Sequence, residues 1–122
     1  MPVLDTCGWI SWLTDDSLAS SFEPYVTGGP VVPTVVLYEV TRWMRRERDA
    51  ATADTAVASL RQCQVVVLDE DVALLAVDLA ARHRLHMADA FVYAHAQREG
   101  TTLVTSDAAF ELLPGVEYFR KP

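Results

Sequence analysis

At 122 residues, 51% hydrophobic and 22% charged, with a formal net charge of −7, the chain is too apolar for a disordered protein and fits one ordinary domain. The acidity works against sequence-independent nucleic-acid binding, which draws on clustered Lys and Arg. The opening MPVLDTCGWISWL lacks a basic flank and is interrupted by Asp5, so it reads as neither signal peptide nor membrane anchor, and Cys7 and Cys63 without a framework spacing suit reduced thiols in a cytoplasmic protein.

In chain order, PVLD (2 to 5) is a short apolar strand ending on Asp5, and TCGWISWL after it has helical periodicity. An ambiguous stretch at 17 to 26 leads to a second strand, PVVP (30 to 33), and then to TVVLYEVTRWMRRER, a helix whose end carries Arg42, Arg45, Arg46 and Arg48. AATADTAVASLRQC reads as a further helix, QVVVL (64 to 68) as a strand, DEDVALLAVDLAARH and MADAFVYAHAQRE as two more helices, and TLVT (102 to 105) and VEYF (116 to 119) as the last strands. Asp69 is placed to cap a helix with Glu70 and Asp71 in its first turn, and Gly100 follows a helix end. Strands alternating with helices give an α/β class. The continuous apolar character of the strands points to a five-stranded, mostly parallel sheet covered by helices on both faces.

Ligands of open α/β sheets bind beyond the carboxyl ends of the strands, which is where Asp5 and Asp107 fall. Taken singly, each reads more readily as a helix cap. Glu39 shares its helix face with Val35, Val36 and Trp43, so it lies on an apolar stripe where a carboxylate needs an Arg partner, a rim position or a metal. Asp89 opens a helix rich in alanine, where an anion also complements the helix dipole. Four acids at one sheet edge would repel one another until some took up protons, whereas a divalent cation keeps them ionised. All-oxygen donors select Mg²⁺ or Mn²⁺, and such an ion activates water for phosphodiester hydrolysis. Thr6, Thr105 and Ser106 are placed to hydrogen-bond these acids or to act as turn hydroxyls.

The motifs VLDTCGWI, VVPTVVLYEV, LDEDVALLAVDLAARHRLHMADAFVYAHA and LVTSDAAFELLPGVEYF, in that order and over nearly the whole chain, make the sequence similar to the PIN-domain ribonucleases, and among them to the VapC toxins of bacterial toxin–antitoxin pairs. The resemblance implies one PIN domain over residues 1 to 122, with Asp5, Glu39, Asp89 and Asp107 as its acidic quartet and Thr105 as the hydroxyl before the last acid. It also implies Asp5 and Asp89 as metal ligands, with Glu39 and Asp107 acting directly or through water. The implied activity is endonucleolytic cleavage of structured RNA, commonly tRNA or rRNA, by a homodimer that a small antitoxin inhibits. Cys7 stands where the family often carries Ser or Asn. A thiol is a much weaker hydrogen-bond partner, so that polar role is not assigned to it.

Other readings stay open. A non-toxin PIN-type RNA-processing nuclease shares the motifs, and a catalytically silent binding module would use the acids as caps and Trp9, Trp12 and Trp43 as a partner surface. A phospho-acceptor domain needs a strand-end lysine, and the single lysine is Lys121. A zinc site built from His83 and His86 with a cysteine lacks the ligand spacing, and His95 reads as a helix-face residue. The stretch Arg42, Arg45, Arg46 is a candidate contact for RNA or antitoxin, or a solvated face.

Overall fold

A computed structural model describes residues 1–122. The elements run β1 (Val3–Leu4), α1 (Thr6–Thr14), α2 (Ala19–Thr27), β2 (Val31–Pro33), α3 (Thr34–Glu47), α4 (Ala50–Arg61), β3 (Gln64–Val66), α5 (Glu70–His83), α6 (Met87–Arg98), β4 (Leu103–Thr105) and β5 (Val116–Tyr118), with a 3-10 turn at Ala108–Phe110 between the last two strands.

All five strands are parallel, in the order β3-β2-β1-β4-β5. The α/β class and the five strands expected from the sequence are therefore present, and the ambiguous stretch is α2. β1 is central, with Val3 in register with both Val31 and Leu103. The chain steps from β1 to β2 to β3 in one direction and then returns across the sheet to β4. With right-handed crossovers, that reversal puts the α5–α6 pair on the opposite face from α1–α2 and α3–α4. The reversal also opens a crevice between the ends of β1 and β4, where parallel sheets hold their ligands.

Up to Thr105 at the end of β4 the central strands are apolar because both of their faces are covered: Val3, Leu4, Val32, Leu103 and Val104 are all buried. β3 differs from its sequence reading. It stops at Val66, and Val67 is 67% exposed, because an edge strand pairs on one side only and this one leaves its sheet neighbour β2 after three residues. Trp9 also departs from the partner-surface reading: it is 1% exposed and packs edge-on against Trp12 within the core.

Candidate active site

Asp5 is the first residue after β1, and its extended backbone turns directly into α1. Its Oδ1 accepts the Thr6 backbone N–H at 2.8 Å, so the residue caps α1. Its Oδ2 accepts the Thr105 hydroxyl at 2.8 Å from the end of β4. Thr105 Oγ1 in turn accepts the Asp107 backbone N–H at 2.9 Å, and Asp107 Oδ1 accepts the Ala109 N–H at 2.9 Å to cap the 3-10 turn. One threonine thus orients two of the four acids.

Glu39 and Asp89 arrive from helices. α3 starts directly at the end of β2, which sets Glu39 one turn into the helix, and Thr6 Oγ1 donates to Glu39 Oε1 at 2.8 Å. The apolar stripe of α3 is Val36, Val40 and Met44; Glu39 is half-buried at its rim and paired with a hydroxyl, not with an arginine. Asp89 lies in the first turn of α6, which packs against both β1 and β4. It has no hydrogen-bond partner.

The neighbouring acids act on Asp5 and Asp89. Burial, reinforced by the charges of Asp89 and Asp107, pushes the Asp5 carboxyl up to about 6 against the opposing hydrogen bonds from Thr105 and Thr6. Asp89 is likewise pushed up to about 6, first by burial and then by Asp107 and Glu39, with His86 opposing. No three His, Cys, Asp or Glu side chains are drawn close enough to grip an ion in common as they stand. The donors are nonetheless all hard oxygens, and their mutual repulsion is what a dication would relieve, so their chemistry fits Mg²⁺ or Mn²⁺.

Cys7 supplies a contact that its residue type did not advertise. Its Sγ lies 3.3 Å from Thr105 Oγ1 and 3.7 Å from Asp5 Oδ2, and accepts the Ser106 N–H at 3.3 Å. Burial, then the charge of Asp5, pushes the thiol up to about 11, so at neutral pH it is an uncharged packing group behind the carboxylate. Of the histidines, His83 packs edge-on against Tyr93 at 5.6 Å, and His95 is buried in α6.

On the other side of Glu39, Arg42 and Arg46 join Thr6, Ile10, Glu39 and Trp43 around a small hollow of about 180 Å³. The same two arginines, with Arg45, border a larger open hollow of about 630 Å³ along the outer face of α3.

Residues 3–116 match the family described as the PIN domain. No curated protein sequence matches the chain. Among solved structures, the chain is similar to the Mycobacterium tuberculosis toxin VapC20, described as cleaving the sarcin–ricin loop, with a TM-score of 0.80, 20% identity and 99% of this chain and 100% of that one covered. A Klebsiella pneumoniae toxin–antitoxin complex gives 0.79 at 17% identity, again over 99% and 100% of the two chains. DNA-bound VapBC from Salmonella typhimurium gives 0.76 at 18% identity, with 98% of each chain covered. At such identities the likeness is one of fold.

Proposed function

The chain belongs to the PIN-domain family, and we propose from that premise that it is an endoribonuclease of the VapC toxin type, cleaving RNA with Mg²⁺ or Mn²⁺ and inhibited by a small antitoxin. The observation that carries the reading is the gathering of acids at the switch point of the sheet, where Asp89 and Asp107 act on Asp5 and Asp107 and Glu39 act on Asp89. Asp5 and Asp107 have capping duties that would by themselves account for their presence. Asp89 caps nothing, is half-buried, and is held among like charges, at a cost that a purely structural role would not sustain.

In this reading Asp5 and Asp89 hold the cation, and Glu39 and Asp107 join it directly or through water. The bound cation supplies Lewis acidity: it neutralises charge on the phosphate under attack and makes water a better nucleophile. Thr105 fixes the Asp5 carboxylate and the Asp107 backbone in one register, and Thr6 holds Glu39 from across the crevice. These hydroxyls supply preorganisation, so that the carboxylates need not search for their positions when the ion and the RNA arrive.

The similar structures include toxin–antitoxin complexes and a toxin described as cleaving the sarcin–ricin loop. We carry both partners over as part of the proposal, a structured tRNA or rRNA and a VapB-like antitoxin, with a cytoplasmic homodimer as the working form. No helix is long and apolar enough to cross a membrane. The arginines of α3 are assigned to one of the two partners.

The test is cleavage of total RNA by the purified protein freed of any inhibitor. Activity with Mg²⁺ or Mn²⁺ that EDTA abolishes, and that Asp5→Asn and Asp89→Asn abolish without loss of fold, supports the proposal. Undiminished cleavage by both variants removes the carboxylate site as its source.

A further inference from the structure

The outer face of α3 carries a tyrosine where a helix surface has no structural need of one. Tyr38 is 63% exposed. Arg42 lies four positions on and Arg45 seven, so all three side chains rise from one stripe of the helix. With Arg46 they border the open hollow of about 630 Å³, which α3 alone lines, so that it is a shelf and not an enclosed pocket. Arg42 and Arg45 enter no ion pair, and Arg46 meets only its exposed sequence neighbour Glu47 at 3.7 Å. In a chain of net charge −7, this is a local reserve of unneutralised positive charge.

The shelf is continuous with the candidate active site. Arg42 and Arg46 line both it and the smaller hollow that contains Thr6 and Glu39. A polyanion lying on the shelf is therefore led to the carboxylates by the same two guanidinium groups.

The chemistry of the shelf selects between the two partner classes. A wholly apolar hollow, of about 420 Å³, lies elsewhere, between α5 and α6, where Val77 is 64% and Met87 71% exposed. That surface suits the apolar side chains of a protein. An exposed ring flanked by free guanidinium groups suits instead a base stacked on the ring and phosphates on the charges. A base can offer its face only when it is unstacked, which restricts the ligand to single-stranded loops, bulges or ends.

We infer that the outer face of α3 is the approach track for a single-stranded loop of RNA, with one unpaired base stacked on Tyr38 and the adjoining phosphates on Arg42, Arg45 and Arg46. The inference rests on the nuclease reading and adds to it the surface that receives the RNA and the residue that stacks on its unpaired base.

The test is fluorescence anisotropy in EDTA, where no cleavage occurs, with a fluorescein-labelled RNA hairpin carrying an unpaired loop and a blunt RNA duplex of the same length. The hairpin should bind more tightly than the duplex. Tyr38→Leu should weaken hairpin binding about tenfold while Tyr38→Trp retains it, as loss of one base stack requires. Arg42→Ala and Arg45→Ala should each flatten the salt dependence by about 0.7 in log–log slope. Equal affinity of Tyr38→Leu and wild type, or equal binding of hairpin and duplex, overturns the inference and leaves α3 to the protein partner. Cleavage of the same hairpin with Mg²⁺, by wild type and Asp5→Asn, runs in parallel. Tyr38-independent binding with intact cleavage defeats the track alone, and Tyr38-dependent binding without wild-type cleavage defeats the nuclease reading alone.

Discussion

The Thr105 hydroxyl donates to Asp5 Oδ2 at 2.8 Å, joining residues 100 positions apart at the ends of the two central strands. The same oxygen accepts the Asp107 N–H through a lone pair, and the bond it donates to Asp5 favours the ionised carboxylate.

Thr105→Val keeps the shape and removes both bonds. The Asp5 carboxyl should then rise further above about 6, and since the ionised form is the one that holds a cation, the acid limb of the pH–rate profile should move to higher pH. Activity at neutral pH should fall about 10- to 100-fold, the usual loss when a ligand's supporting hydrogen bond is removed. Thr105→Ser should restore both the rate and the limb. A profile unchanged in the valine variant would mean that the hydroxyl only fills space.

Asp89 makes a prediction about stability without metal. Its folded acidity of about 6 lies above the ordinary value of 3.8, so between those values the folded protein binds more protons than the unfolded one. Stability therefore declines as pH rises through that window, and at neutral pH the ionised group opposes folding. Asp89→Asn should stabilise the protein in EDTA at pH 7.5 by roughly 1 kcal/mol, about 4 °C at this chain size, with little effect near pH 4. Mg²⁺ should raise the wild-type Tm more at pH 7.5 than at pH 5, and should lose that effect in the variant. Thermal denaturation at the two pH values, with and without metal, decides it.

Much of this arrangement is legible from the sequence because strand ends are local features. A short β-branched run stopping at Asp5 or Thr105 fixes where a carboxylate emerges, and the parallel order follows from apolar strands separated by helix pairs. Cys7 is not legible, because its role depends on the Ser106 N–H and the Thr105 hydroxyl, which approach it from 99 and 98 residues away. The shortness of β3 is hidden for a related reason: apolar composition does not say whether a residue lies at a sheet edge or at its centre. Glu39 was legible as anomalous but not as the partner of Thr6, since that contact depends on α1 and α3 packing together.

The Thr6–Glu39 bond separates charge from positioning. Glu39→Gln can still accept the Thr6 proton, so its loss of activity would report the missing charge; Thr6→Val leaves the charge and removes its anchor. Each single variant should lower kcat/KM, Thr6→Val by about tenfold, and Thr6→Ser should be near wild type. The double variant should lose less than the product of the two single losses, because both act on one contact. Strict multiplicativity in a four-enzyme kinetic cycle would show that the two residues work apart.

Gly8 sets how closely α1 can approach the strand that presents Asp5. It is buried on the inner side of α1, and a Cβ built there would lie 2.5 Å from Leu4 Cδ1 and 3.0 Å from the Phe22 ring. Both neighbours are 0% exposed, so neither can swing out of the way, and relief requires α1 to lift. Gly8→Ala gains about 1 kcal/mol of helix propensity, yet overpacking a closed core costs typically 1–3 kcal/mol, and a clash this short belongs at the upper end. The net expectation is a loss of roughly 1–2 kcal/mol, about 4–8 °C in Tm. Lifting α1 also moves Thr6, so the variant should weaken Mg²⁺ binding along with stability. Leu4→Ala in the same chain opens space for the new methyl, so the double variant should fall short of the summed losses of the two single variants. A Gly8→Ala protein as stable as wild type would show that the entry of α1 is not held by this contact.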